Sequence, residues 1–288
     1  MNELAENQIL KFISNQQIIH RAILSSSFDI VCEKITLCNH ECLVAKYYEK
    51  KKLHFNAIKN EGASLIFMSK IFPNLFPAVR LLTDDVLIMN FIEHNNIRSN
   101  NYQNILAKEI LKIHSITNDK YGFKFDTQIG GLKQPNKYNS NWVNFFRDQR
   151  LNIIFELINQ NEPMPSSINR KLEIVIKNLD NLIPSKPKVS LLHGDLWSGN
   201  ILFHNKKLVG LIDPGIFFGH NEMELAYLTW FNYIDNSFLD YYSEIIKIEK
   251  DYYTYEPIYQ IYYSLLNVHL WSREYIKDVD RLLNNRFN

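Results

Sequence analysis

The chain has 288 residues, 46 % hydrophobic and 13 % aromatic with 18 Phe and 16 Tyr, which is apolar material for one large core or two modest ones and excludes a disordered chain. Lys and Arg number 32 against 31 Asp and Glu, a formal net charge of +1 that leaves no electrostatic footprint for nucleic acid or a membrane surface. No apolar run approaches the roughly 18 residues needed to span a bilayer, and the amino terminus MNELAENQIL is acidic where an export or transit segment is basic, so a cytoplasmic protein with neither partner is expected.

Residues 4–13 alternate apolar and polar positions at helical spacing and predict a short lid helix. From Ile23 to Tyr48 the runs are short and β-rich. Ile35-Thr36-Leu37 and Leu43-Val44-Ala45 flank Cys38-Asn39-His40-Glu41 as two strands around a turn. Cys32, Cys38 and Cys42 are odd in number and lack an export signal, which argues for reduced thiols. Cys38, His40 and Cys42 have no fourth ligand at zinc spacing, so the two thiols read as flanking a hairpin tip.

Residues 53–70 return to a helical period, and Val86-Leu87-Ile88-Met89 is a short buried strand after the turn Thr83-Asp84-Asp85. Beyond residue 100 helices dominate, over 102–115, 141–160, 165–182, 221–234, 237–248 and 256–276. A β-rich insert from Val189 to Ile212 interrupts them, with strands flanking the turn His204-Asn205-Lys206-Lys207. The expectation is an α+β protein of two lobes with a protein-kinase-like layout. Residues 1–90 form a small β-rich N-lobe, and residues 91–288 a larger, mainly helical C-lobe.

The strongest motif is His193-Gly194-Asp195-Leu196-Trp197-Ser198-Gly199-Asn200, followed by Leu211-Ile212-Asp213-Pro214-Gly215. Its spacing matches the H-x-D-L-x-x-x-N catalytic loop of kinases, and the later Asp falls where D-F-G binds magnesium. Phosphoryl transfer needs one carboxylate to orient the attacking hydroxyl and take its proton, and ligands for cations that neutralise phosphate charge. Asp195 fits the first task. Asn200 and Asp213 fit the second, with oxygen donors suited to Mg²⁺.

Lys46 ends the strand Leu43-Val44-Ala45, where kinases place the lysine that contacts the α/β-phosphates of ATP. Glu61 follows on a helix at offsets of three, four and seven residues from Ile58, Leu65 and Met68, hence on the buried face, where it needs a cation such as Lys46. Met89-Asn90-Phe91-Ile92 reads as the hinge, meeting adenine through the Asn90 carbonyl and the Ile92 amide. The phosphate-covering segment Leu24-Ser25-Ser26-Ser27-Phe28-Asp29 carries serine where glycine is usual, restricting φ.

Only a few residues separate Asp213 from a helix opening near Asn221, too few for an activation segment, so the acceptor is expected to be small. Trp197 offers a flat face for a sugar ring, its alternative being packing under the loop. Trp271, read as part of the final helix, is a further candidate for the acceptor wall. Glu224 pairs with Asn221 as a helix cap.

These residues resemble the fructosamine kinase (ketosamine-3-kinase) family. Leu191 to Asn200 is similar to its catalytic-loop signature. Phe218-Gly219-His220-Asn221-Glu222-Met223-Glu224-Leu225-Ala226 resembles its "YGH-x-E-x-x-LA" stretch. Tyr121-Gly122-Phe123, Ile129-Gly130, Trp142, Phe145-Phe146 and Arg150-Leu151 resemble its mid-chain block.

The resemblance implies ATP-dependent phosphorylation of the 3-hydroxyl of a ketosamine, free or protein-bound, after which the phosphate leaves by elimination and frees the amine. It implies Asp195 as base, Asn200 and Asp213 as metal ligands, and Lys46 with Glu61 as the phosphate-orienting pair. The chain departs from the family in its serine-rich loop, in Asp213-Pro214-Gly215 where D-P-A is usual, and in Asn90 where the hinge is commonly acidic. Two other readings keep the fold: a kinase for an aminoglycoside or choline-like alcohol, and a ligand-binding pseudokinase. A cationic acceptor would call for carboxylates near Asp195, for which Glu222 and Glu224 are the local candidates. The serine-rich loop favours the pseudokinase; Lys46, Glu61, Asp195, Asn200 and Asp213 oppose it.

Overall fold

The computed structural model describes residues 3–14, 16–50 and 55–287. The first hundred residues give α1 (Glu3–Ile13), β1 (Ile18–Ser27), β2 (Ile30–Leu37), β3 (Cys42–Tyr48), α2 (Ala57–Ile71), β4 (Val79–Leu82) and β5 (Val86–Asn90). The five strands form one antiparallel sheet in the order β1-β2-β3-β5-β4.

Alternation along the strands decides which helix each side chain meets. Leu43, Ala45 and Tyr47 join Val31, Ile35, Val86 and Ile88 in a core that Ala5, Ile9 and Ile13 complete from α1. The helix expected as a lid is therefore a core element, because its apolar stripe fills one face of the sheet. Arg21 on β1 ties it down with a bidentate bond to Glu6, both arms 2.9 Å. The intervening residues of β3 face α2: the Tyr48 hydroxyl accepts the Ala57 amide at 2.7 Å. Asn56 caps α2 by accepting the Lys59 amide. The predicted helix over 53–70 thus begins at Ala57; positions 53 and 54 lie outside the described residues.

The serine-rich segment is drawn into the sheet. Ser25, Ser26 and Ser27 pair with Cys32, Val31 and Ile30, and only Phe28 and Asp29 form the turn, at φ +54° and +60°. Positive φ at both central residues is the hairpin geometry whose twist matches the flanking strands.

The rest of the chain gives α3 (Tyr102–His114), β6 (Thr127–Ile129), β7 (Leu132–Gln134), α4 (Trp142–Phe146), α5 (Asn152–Asn161), α6 (Ser166–Lys177), β8 (Val189–Leu192), β9 (Ile201–His204), β10 (Lys207–Leu211), β11 (Phe217–His220), α7 (Asn221–Trp230), α8 (Asn236–Ser243), α9 (Tyr252–Leu270) and α10 (Ile276–Phe287). The chain divides into two compact units. One holds residues 1–102, 127–133 and 199–215; the other holds 103–126, 134–198 and 216–288.

The expected split at residue 90 is linear along the chain, whereas each compact unit gathers separate segments. The amides of Asn95 and Asn96 donate to Phe203 O at 3.0 and 2.8 Å, and Lys206 N donates to Ile97 O. Leu211 N reaches Leu75 O at 2.7 Å. The β9–β10 hairpin is thereby stitched to segments flanking the first sheet.

Within the second unit, the helix expected over 141–160 is interrupted by a wide turn at Arg147–Leu151. There Arg150, 1 % exposed, donates to Pro135 O and to Asn136 Oδ1, both at 2.7 Å, with its guanidinium over the Phe145 and Phe217 rings. Trp142 is fully buried, donates to the Tyr259 hydroxyl at 2.9 Å and stacks with Phe145 and Phe146. The helix expected over 256–276 ends at Leu270, since Ser272 caps a new turn by accepting the Glu274 amide. Four residues before α7 form β11, which pairs antiparallel with β8 from Phe217↔Leu192 to His220↔Val189.

Candidate active site

In the first unit, β3 and α2 bring together the buried pair expected from the sequence. Lys46 Nζ donates to Glu61 Oε1 at 2.7 Å and to Asp213 Oδ1 at 2.6 Å. The side chains of Lys46 and Glu61 are 8 % and 5 % exposed, and that of Asp213 is 32 % exposed. Burial is the largest influence on Lys46 and acts to lower its pKa. The charges of Asp213 and Glu61 together outweigh it and hold the ammonium well above its ordinary value. Glu61 is pushed upward by its own burial, against the pull of Lys46.

Asp213 adopts φ +56°, a left-handed conformation that Asp tolerates better than most side chains. Asn200 is buried, and its carbonyl accepts the Ile212 amide at 3.1 Å, which ties the end of the catalytic-loop motif to the residue before Asp213.

The expected hinge leaves β5 at Asn90. Met89 is buried and Asn90 exposed, with its side-chain oxygen accepting from Arg80. The Phe91 amide donates to Cys42 O at 3.2 Å. The Ile92 carbonyl lies 2.9 Å from His94 Nδ1. Gly210 on β10 clears space for Ile92: a Cβ there would come within 2.5 Å of the Ile92 Cδ1.

In the second unit, the chain turns out of β8 through His193 and Gly194 into Asp195. Gly194 sits at φ +87°, where a Cβ would be strained. Both amides of this turn point at one carboxylate: Glu224 Oε2 accepts His193 N at 3.1 Å, and Glu224 Oε1 accepts Gly194 N at 2.7 Å. His114 Nε2 adds a third bond to Glu224 at 3.0 Å, and its other ring nitrogen lies 2.7 Å from the Tyr242 hydroxyl, which Asn221 also contacts.

Glu224 is fully buried. Burial alone would raise its pKa, but the bonds from His114 and the charges around it hold it below the usual carboxylate range. The helix-cap reading of Glu224 with Asn221 is corrected: His220 occupies the cap position with no side-chain cap bond, and Glu224 anchors the loop that carries Asp195. Glu222 is equally unavailable to an acceptor, being 1 % exposed and bonded to the Glu249 amide and the Tyr255 hydroxyl. The two carboxylates that a cationic acceptor would call for are thus spent on the protein's own backbone and side chains.

Asp195 is half-buried, with its amide 3.3 Å from His193 Nδ1. Trp197 is also half-buried, its ring 6.3 Å from that of Phe231, which continues to Trp230 and Tyr227. Tyr227 stacks on Tyr263 with centroids 3.7 Å apart. Burial, and then the charge of Asp195, pushes the Tyr227 hydroxyl far above its ordinary value, which puts this ring in the field of Asp195. The sequence singles out neither Tyr227 nor Tyr263; for Tyr263 the density of tyrosine in α9 is the one available signal.

Trp271 lies just past the end of α9, 60 % exposed, in a cleft with Ile158, Asn161, Val268 and Arg273. The three cysteines are free thiols. No helix among the described residues is long and apolar enough to cross a membrane.

A family model described as Fructosamine kinase matches residues 45–288. Over 187 residues the chain is 33 % identical to a candidate ketoamine kinase of Enterococcus faecium, covering 64 % of this chain and 66 % of that one. Over 207 residues it is 29 % identical to the chloroplastic protein-ribulosamine 3-kinase of Arabidopsis thaliana, covering 70 % of this chain and 62 % of that one. The crystal structure of a candidate fructosamine-3-kinase from Thermobifida fusca superposes with a TM-score of 0.86 at 22 % identity, covering 100 % of this chain and 99 % of that one. That likeness establishes the kinase-like α+β fold.

Proposed function

This chain belongs to the fructosamine kinase family, and from that premise we propose that it transfers the γ-phosphoryl group of ATP to the 3-hydroxyl of a ketosamine derived from fructose or ribulose. The observation that carries the reading is Lys46, buried and held at 2.7 and 2.6 Å by Glu61 and Asp213. A lysine fixed between the helix glutamate and the late aspartate is the arrangement that presents an ammonium to nucleotide phosphates. Met89, Asn90, Phe91 and Ile92 are assigned to the adenine edge.

Asp213 and Asn200 are the residues that would hold Mg²⁺. Asp213 fits because it stays partly exposed and gives Lys46 only Oδ1. Mg²⁺ ordinarily takes one or two carboxylates together with substrate phosphates. When bound, the ion neutralises charge on the transferring phosphoryl group.

Asp195 is assigned as the base that orients the sugar hydroxyl and accepts its proton. Glu224 holds the amides of His193 and Gly194, the two residues before Asp195, so the carboxylate is presented without having to seek its position. Trp197, half-buried beside Phe231, offers the face on which the sugar would rest.

The test is a screen of ATP consumption over fructoselysine, ribuloselysine and several aminoglycosides, with mass spectrometry of the product. Phosphate on the ketosamine 3-hydroxyl is expected. Turnover of an aminoglycoside with none of a ketosamine would overturn the substrate assignment and leave the kinase fold standing.

A further inference from the structure

The β6–β7 hairpin has no part in the chemistry above, yet two consecutive residues of β6 reach Glu61 and the backbone just beyond Asp213. Gln128, 7 % exposed, donates from Nε2 to Glu61 Oε2 at 3.3 Å, the oxygen that Lys46 leaves. Thr127, fully buried, donates to the carbonyl of Gly215, two residues beyond Asp213, at 3.3 Å. Neighbouring strand residues point to opposite sides, so one short strand touches both the helix carrying Glu61 and the segment following Asp213.

The other end of the hairpin meets the tip of the phosphate-covering strands. Gly130 and Gly131 turn the chain at φ +54° and +80°. The Gly131 amide donates to Gln128 Oε1 at 2.8 Å, so the two ends of one side-chain amide bond to the turn and to Glu61. A Cβ on Gly131 would lie 3.2 Å from the Cβ of Phe28, the first turn residue between β1 and β2. The glycine turn therefore rests directly on that tip.

We propose that Gln128 is a positioning residue for the nucleotide, linking the Phe28 tip of the β1–β2 hairpin to the Lys46–Glu61–Asp213 group through the Gly130-Gly131 turn. The proposal rests on the reading of the chain as an ATP-dependent kinase. In a glycine-rich loop the backbone itself closes over the phosphates. Here β1 carries Ser25, Ser26 and Ser27 up to the tip, and a glycine of the β6–β7 turn makes the close approach to that tip. A brace of this kind orders the covering strands before the nucleotide arrives and lowers the entropy lost on binding.

The experiment reads nucleotide binding, independent of the acceptor. A non-hydrolysable ATP analogue with Mg²⁺ is titrated onto the full chain and onto Gln128→Met, Phe28→Ala and the double variant. Gln128→Met keeps the side-chain length and removes both bonds; Phe28→Ala alters a half-exposed tip and should leave the melting temperature unchanged. Each single variant is expected to weaken binding by roughly three- to tenfold, the scale of losing one ordinary hydrogen bond.

The double variant should be no weaker than the worse single one, because both changes break the same link. In turnover assays the acceptor KM should not move. Wild-type affinity in Phe28→Ala, or effects that multiply in the double variant, would overturn the proposal. Should Gln128→Met fail to fold, Phe28→Gly decides: it removes the Cβ that the glycine turn approaches, at a φ of +54° that glycine adopts without strain, and it should weaken binding, wild-type affinity overturning the proposal. A wild-type chain that binds no analogue sinks the kinase reading itself; binding indifferent to every variant sinks only the brace.

Discussion

Lys46 and Asp195 carry charges that serve both stability and chemistry, and substitution can separate the two roles. Removing the Lys46 ammonium leaves Glu61 buried with Gln128 as its remaining side-chain donor. Breaking a buried pair from one side typically costs about 3–5 kcal/mol. Lys46→Met should therefore lower stability in denaturant unfolding and abolish productive ATP placement. Adding Glu61→Gln should restore much of the stability, because no buried charge is left unpaired, and none of the activity. Full stability in the single variant would refute the ion pair as described.

Asp195→Asn is the complementary case. Asp195 is half-buried and is positioned through its backbone, so the variant should fold and bind ATP normally while kcat falls by orders of magnitude. Retention of more than about a tenth of the wild-type kcat would remove Asp195 from the role of base.

At the scale of elements, α7 organises the second unit through its first turn, where Glu222 and Glu224 are both buried and perform different tasks. Glu224 receives the two amides of the catalytic turn. Glu224→Gln would set a side-chain NH₂ against one of those donors, at a cost of about 1–3 kcal/mol for the unsatisfied group. The expected result is a kcat reduced well beyond the loss of folded protein, with the ATP KM nearly unchanged. Equal loss of both would make the residue a general packing element.

Glu222 ties the start of α7 to the Glu249 amide and Tyr255, and burial pushes its pKa up to about 7 from an ordinary value of 4.5. A carboxyl raised on folding stabilises fully below its unfolded value, and that contribution is lost as pH climbs through about 7. Neighbouring His220, pushed down to about 3 by burial, acts oppositely: its contribution is present above the unfolded value of 6.5 and is lost as pH falls toward 3. Glu222→Gln should isolate the first effect. Its melting temperature relative to wild type should rise between about pH 4.5 and 7 and level off above. A difference independent of pH would mean that Glu222 titrates as an ordinary carboxylate.

At the scale of the whole molecule, the seven residues 214–220 between Asp213 and α7 include the four of β11, which are bonded to β8. No peptide-docking segment is present there, so the enzyme should phosphorylate free fructoselysine or ribuloselysine and ignore serine, threonine and tyrosine peptides. Phosphate transfer to a peptide hydroxyl would contradict this.

The sequence by itself determined the fold class, the pairing of Lys46 with Glu61 and the motif that holds Asp195, Asn200 and Asp213. Each is written locally, as a strand ending in lysine, a helical period that buries a carboxylate in need of a cation, or one fixed spacing along the chain. The hairpin at Cys38–Glu41 was legible for the same reason, since Cys38 to Glu41 join β2 to β3 directly. Other features only the tertiary structure decided: the task of Glu224, the β6–β7 hairpin that meets Glu61 and Phe28, the pairing of β11, and the break at Trp271. Periodicity tells which face of an element is buried, but a buried polar group must find its partner wherever packing brings one. For Glu224 that partner lies 31 residues away along the chain, at His193. For Gln128 it lies 67 residues away, at Glu61. Separations of that size are set by how the chain folds back on itself, and no local pattern records them.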